Sequence, residues 1–195
     1  MSYGSYDGAL RRLVHLLKYE QFRPAANVLG AKLAQSLRRS EFAADSPVLM
    51  IPVPLHPSKR RQRGFNQSEL IARSAVQNLG GSRFELHTGN LRRRRATTSQ
   101  TGLTSHQRRE NVRGAFIVTA PASVVDRDVV IVDDVYTTGT TLNECARVLR
   151  AAGAGQIAVA TVARVYREVA EIAPHGVSNQ ERCAAALVEA AAGYR

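Results

Sequence analysis

The sequence predicts an α/β fold: a parallel sheet flanked by helices, with a helical layer at its N-terminal end. Three observations carry this. Pro47-Val48-Leu49-Met50-Ile51-Pro52-Val53, Val129-Val130-Ile131-Val132 and the run from Gln156 to Val162 are almost continuously apolar, as strands buried on both faces are, and lack the alternation of half-buried ones. Segments of helical periodicity separate the runs, the βαβ order that a parallel sheet requires. The chain has 195 residues, enough for one core of ordinary size at about 100 to 200 residues per domain.

Taken in order, residues 6–18 place Ala9, Leu10, Leu13, Val14, Leu16 and Leu17 along one helical face, and Phe22-Arg23-Pro24 breaks that helix. A second helix is predicted from Ala25 to Arg39, with Val28, Leu29, Leu33 and Leu37 in phase and Pro24 near its first turn. The strand at Pro47 to Val53 leads into a basic loop. Gln67 to Leu79 then reads as helix with Asn66 as its N-cap, so Gly64-Phe65-Asn66-Gln67 serves as a helix start, and Gly80-Gly81 ends it. His56, flanked by prolines, reads as a loop residue. Phe84 to Leu91 is a short strand, and Arg92 to Val112 is a long polar loop with one helical turn at Ser105 to Asn111. A loop this long inside a compact domain acts as a lid or a binding loop. Gly114 to Val118 and Val129 to Val132 are strands, Thr140 to Ala152 is a helix closed by Gly153, and Gln156 to Val162 is the last strand. The expected organisation is one domain over residues 1–165, with a helical part at 6–40 and a flexible loop at 92–113. A C-terminal extension at 166–195 ends in the helix-like ERCAAALVEAAAGYR.

Composition excludes several classes. With 44% apolar and 22% charged residues, the chain is neither disordered nor fibrous. Its apolar runs fall short of the ~18 residues of a spanning helix, so no membrane crossing is expected. The N-terminus lacks the order of a secretory signal, and Cys145 and Cys183 stand apart without metal-ligand spacing. A reduced, cytoplasmic protein is expected. The net charge of +11 is concentrated: residues 58–114 hold 13 basic and 3 acidic side chains, densest at Lys59-Arg60-Arg61-Gln62-Arg63 and Arg92-Arg93-Arg94-Arg95. Such a segment fits a nucleic-acid backbone and a small polyphosphate equally well.

The chemistry concentrates after the strand Val129 to Val132, in Asp133-Asp134-Val135-Tyr136-Thr137-Thr138-Gly139-Thr140-Thr141. A loop opening a helix offers backbone N–H groups and the positive end of the helix dipole. Four threonine hydroxyls add donors, and Gly139 permits a sharp turn. This is a phosphate cradle, although it lacks the Lys-Ser/Thr ending of a Walker loop. Two carboxylates beside it would repel an anion unless they face neutral hydroxyls or a cation, and a ribose 5-phosphate with Mg²⁺ satisfies both conditions.

The string VVIVDDVYTTGTT resembles the ribose-phosphate signature of type I phosphoribosyltransferases. YDGALRRLVHLLKYE, IPVPLHPSKRRQRGFNQSELIA and SQTGLTSHQRRENVRGAF extend the resemblance to the ComF family, linked to competence and DNA uptake, over about residues 3–165. The cysteine-rich zinc module with which many members begin is absent from this sequence. The resemblance implies a type I phosphoribosyltransferase-like sheet with residues 6–40 as a helical hood, and 5-phosphoribosyl 1-diphosphate as ligand. Asp133 and Asp134 would hold the ribose hydroxyls, directly or through Mg²⁺. Val135, Tyr136, Thr137, Thr138, Gly139, Thr140 and Thr141 would surround the 5′-phosphate. Val53, Pro54, Lys59, Arg63 and Gly64 would face the diphosphate, and Arg95 on the closing loop would be a catalytic cation. Phosphoribose would pass to a nitrogenous acceptor. The alternative it implies is a non-catalytic DNA-uptake protein gripping single-stranded DNA through residues 58–114, although Phe65 and Phe84 are the only aromatic side chains there for bases to stack on. The C-terminal extension is expected to pack as a helix on the sheet or on a second subunit of a homodimer.

Overall fold

The computed structural model describes residues 1–40, 42, 46–80, 83–96 and 104–166. In chain order its elements are β1 (Ser2–Ser5), α1 (Gly8–Tyr19), α2 (Ala25–Leu37), β2 (Val48–Pro52), α3 (Pro57–Arg63), α4 (Gln67–Leu79), β3 (Phe84–Leu86), β4 (Leu91–Arg93), α5 (Ser105–Val112), β5 (Phe116–Val118), β6 (Val129–Tyr136), α6 (Thr140–Ala151) and β7 (Ile157–Arg164), with one 3₁₀ turn at Pro121–Ser123. Residues 97–103 of the expected lid and the expected C-terminal helix, from residue 167 on, lie outside the described residues.

The main sheet runs β1-β7-β6-β2-β3, and every neighbouring pair in it is parallel. The apolar strands are unalternating because both faces are covered. On one face Val48, Met50, Val130, Val132, Ala160 and Val162 meet Val14 and Leu17 of α1, Leu29 and Leu33 of α2, and Ile71 and Ala75 of α4. On the other, Leu49, Ile51, Val129 and Ile131 meet Leu142, Cys145 and Leu149 of α6 and Phe116 of β5. Consecutive residues of one strand thus feed opposite cores. Helices α2 and α4 approach so closely that a Cβ on Gly30 would collide with the Ser74 side chain and lie 2.9 Å from the Ala75 backbone nitrogen. The N-terminal helices are thereby part of the core, and α1 carries its C-terminal end to the mouth of the sheet.

The structure corrects the sequence reading in four places. β6 does not stop at Val132: Asp133, Val135 and Tyr136 continue the parallel ladder opposite Thr161, Ala163 and Arg164 of β7. Backbone pairing is indifferent to side-chain hydropathy, so the acidic pair stays in the strand. The expected basic loop after β2 is helix α3, with Pro57 in its first turn, His56 as N-cap accepting from the Ser58 N–H, and Gly64 at φ 79° as C-cap. The proline and the glycine are standard helix boundaries, and the run of charge hides them. The stretch from Arg92 to Val112 begins in β4 and ends in the two-turn helix α5, whose Thr104 and Gln107 form a reciprocal capping box. β5 pairs antiparallel with β4 in a separate small sheet. An edge strand the sequence does not announce, β1, is fixed beside β7 by backbone pairing and by a 2.7 Å hydroxyl contact between Ser2 and Thr161.

Candidate active site

In open parallel sheets the ligand crevice lies beyond the carboxyl ends of the strands. There, past β2 and β6, a cleft of about 260 Å³ is lined by Val53, Pro54 and Leu55, by Gln67, Arg93 and Lys18, and by Asp133 to Leu142 except Tyr136. Five different elements contribute to it, and residues far apart in sequence meet.

The cradle has a defined geometry. Gly139 caps α6 at φ 72°, a left-handed conformation that disfavours side chains. An added Cβ would also collide with the Tyr136 hydroxyl and lie 2.7 Å from the ring carbon bearing it. Tyr136 therefore stands behind the turn, with the Arg164 guanidinium 4.9 Å from its ring centroid, and supports the cradle without lining it. Thr138 and Thr140 share a hydroxyl contact of 2.9 Å, and both border the cleft with Thr137 and Thr141. The first turn of a helix presents N–H groups without intrahelical acceptors, together with the positive end of the dipole. Here that turn opens on the cleft.

The carboxylates belong to two different networks, Asp133 being tied to α4 and Asp134 to α1. Asp133 Oδ1 accepts from the Ser68 hydroxyl at 2.7 Å and from the Asp134 N–H at 3.0 Å. Asp134 Oδ1 accepts from the Val135 N–H at 2.8 Å, while its Oδ2 is 2.5 Å from the Lys18 ammonium. That Oδ2 is sealed from solvent and receives no well-directed hydrogen bond among the described residues, so the ion pair is its neutralising contact. Burial, reinforced by the negative charge of Asp134, pushes the Asp133 pKa from 3.8 up to about 7. Burial works against the Lys18 charge, but Asp134 and Asp133 outweigh it and the Lys18 pKa is raised.

A pH dependence follows. The folded protein holds the Asp133 proton more tightly than the unfolded chain does, so ligand-free stability declines as pH climbs from 3.8 to about 7. Asp133→Asn is expected to flatten that decline and to raise the melting temperature above pH 7. Thermal denaturation across the range checks this, and an unchanged slope would remove Asp133 as its source.

The other expected site residues are distributed as follows. Val53 and Pro54 line the cleft. Arg63 borders it indirectly, donating to Gln67 Oε1 at 2.5 Å, and with Lys59 lines a smaller cavity that shares Lys18. Gly64 lies in a groove of about 910 Å³ between α3 and β4 together with Arg60, Arg61, Arg92 and Arg94. Arg95 does not line the cleft: its guanidinium donates to the carbonyls of Asn111 and Arg113, 3.0 Å each, and so braces the end of α5. The arginine in the cleft is Arg93, over the Phe116 ring at 5.5 Å, its pKa lowered by burial. Lys18 and Ser68 escape sequence reasoning, and Gln67 and Arg93 are met there only as part of a helix start and of a basic run. Of the first two, Lys18 carries a signal, as one of 3 lysines beside 24 arginines.

Among the described residues no group of three or more His, Cys, Asp or Glu forms a metal cage. A paired carboxylate site still fits Mg²⁺, which is commonly held by one or two carboxylates and completed by substrate oxygens and water.

A parallel sheet with an acidic pair and a threonine-glycine turn into a helix at the carboxyl end of its central strand defines a type I phosphoribosyltransferase-like domain. Comparison agrees: residues 66–180, more than half of the chain, match the phosphoribosyl transferase domain family. The chain is 34% identical over 161 residues to the DNA utilization protein YhgH of Salmonella typhimurium, covering 82% of this chain and 69% of that protein. It is 32% identical over 166 residues to competence protein F of Haemophilus influenzae, covering 83% and 70%. A solved allosteric regulatory enzyme of purine biosynthesis superposes with a TM-score of 0.46 at 23% identity, over 71% of this chain and 25% of that one. The chain belongs to the ComF family of phosphoribosyltransferase-like proteins. No helix among the described residues is long and apolar enough to cross a membrane.

Proposed function

We propose that the cleft binds 5-phosphoribosyl 1-diphosphate with Mg²⁺ and that the protein transfers the phosphoribosyl group to a nitrogenous acceptor. The observation that carries this reading is the joint lining of one cleft by Asp133 and Asp134 and by the turn Thr137 to Thr141. Carboxylates accept from the two ribose hydroxyls, and the helix N-terminus and threonines donate to the 5′-phosphate a few ångströms away. The C1–oxygen bond to diphosphate breaks with its electron pair leaving on the diphosphate. The acceptor nitrogen supplies the pair for the new C1–N bond and releases its proton to solvent. Arg93, with the N–H groups after Pro54, faces the growing negative charge of the leaving group, where one well-placed donor contributes about 3 kcal/mol. Asp133 and Asp134 would hold Mg²⁺, which would supply further positive charge there. Diphosphate release across a panel of nitrogenous bases and amines tests transfer, and release with at least one acceptor is expected. Binding without release from any acceptor would leave a sensor of the ligand.

A second reading draws on the groove of about 910 Å³, which is lined by Arg60 and Arg61 of α3 and by Arg92 and Arg94, together with the apolar Leu55, Leu91 and Ile117. The groove shares Pro54, Leu55 and Arg93 with the cleft, and the relatives are named for competence and DNA utilization. Single-stranded DNA laid there would bind with a salt slope of roughly −0.7 per neutralised phosphate. The ligand of the cleft would compete with it, and oligonucleotide binding indifferent to salt and to that ligand would exclude the groove.

A further inference from the structure

Lys18 comes from the last turn of α1, 115 positions before the acidic pair it meets. Its side chain is 21% exposed and the Asp134 side chain 5%, with the ammonium on Oδ2. The other Asp134 oxygen is engaged by the Val135 N–H, and Asp133 Oδ1 by Ser68 and the Asp134 N–H. The Asp134 oxygen left for an incoming ion is therefore the one that Lys18 covers. Lysine suits such a post: its ammonium is a compact, strongly hydrated point charge on a flexible stem, whereas arginine would fix a planar fork on the carboxylate.

We propose that Lys18 is a resident cation of the carboxylate site, holding the place of a divalent ion on Asp134 and yielding it only when a phosphorylated ligand enters. This rests on the reading of the cleft given above. In the empty cleft a free metal ion meets an ammonium where it needs an oxygen, and the two like charges exclude each other. When the ligand arrives it adds phosphate charge of its own. Lys18 then has a second anion to pair with, across the cleft wall it already lines, and Asp134 becomes available. Metal entry is thereby coupled to ligand entry by a residue of the N-terminal helices.

Mn²⁺ binding, followed by the loss of its free-ion paramagnetic resonance signal, tests this without measuring turnover. The ligand-free protein is expected to bind Mn²⁺ weakly, and Lys18→Met to bind it at least about tenfold more tightly, a change of about 1.4 kcal/mol. Lys18→Gln, which keeps a hydrogen-bond donor near Asp134, should behave like Lys18→Met, and Lys18→Arg like the natural protein. In an Asp134→Asn background Lys18→Met should change nothing. An ion pair that only stabilises the fold would shift the melting temperature and leave Mn²⁺ affinity alone, which would overturn the proposal. Tight Mn²⁺ binding by the natural protein without ligand would overturn it too, a measurement that stands if the variants fail to fold. Failure of 5-phosphoribosyl 1-diphosphate to bind in the presence of metal would instead strike the functional reading, since the ligand-free comparison does not involve it.

Discussion

Asp133→Asn together with Asp134→Asn is expected to weaken binding of 5-phosphoribosyl 1-diphosphate by more than about a hundredfold while the protein stays folded. A hydrogen bond to a charged acceptor contributes roughly 1.5 to 3 kcal/mol, two such acceptors are lost, and about 2.7 kcal/mol corresponds to a hundredfold. The fold should tolerate the change because a neutral amide in place of the Asp133 carboxylate relieves the burial and repulsion that push the Asp133 pKa up to about 7. The cost falls on Lys18, whose partner Asp134 lies in the buried part of the pair. Titration calorimetry on the double variant, with circular dichroism as the folding control, reads both. Binding within a few-fold of the natural protein would mean that the carboxylates do not touch the ligand.

Gly139→Val has the second large effect, through backbone and space at once. Position 139 sits at φ 72°, which costs a β-branched residue about 1 to 3 kcal/mol, and its new Cβ would drive into Tyr136. Tyr136 cannot retreat freely, since Arg164 packs on its ring. The turn must move, and Thr138, Thr140 and the first amides of α6 move with it. Loss of affinity for ribose 5-phosphate by at least roughly tenfold is expected, about 1.4 kcal/mol, with a lower melting temperature. Retained affinity would show that the phosphate is held elsewhere.

The unequal legibility of the chain has a physical pattern. Val48 to Pro52 and Val129 to Val132 can be read as strands because burial on two faces leaves unbroken apolar runs, and α4 can be read from Asn66 and Gly80 because its caps are local. The cradle is legible for the same reason: strand, carboxylates, threonines and glycine are contiguous. What is illegible depends on tertiary contact. Ser2–Ser5 becomes a strand only because β7 offers an unpaired edge. Arg93, the last residue of β4, enters the cleft, and Arg95, beyond the end of that strand, is held away by the carbonyls of Asn111 and Arg113, which four identical letters in a row cannot reveal. Lys18 reaches Asp134 only once α1 has packed on the sheet through Val14 and Leu17.

The central claim, that one cleft holds both the ribose hydroxyls and the 5′-phosphate, is tested most directly by calorimetric titration of the natural protein with 5-phosphoribosyl 1-diphosphate in Mg²⁺, beside ribose 5-phosphate and diphosphate alone. Saturable binding of the whole ligand, tighter than either fragment and with one site per chain, is the predicted result. No heat from the whole ligand, or binding no tighter than that of diphosphate alone, would contradict it.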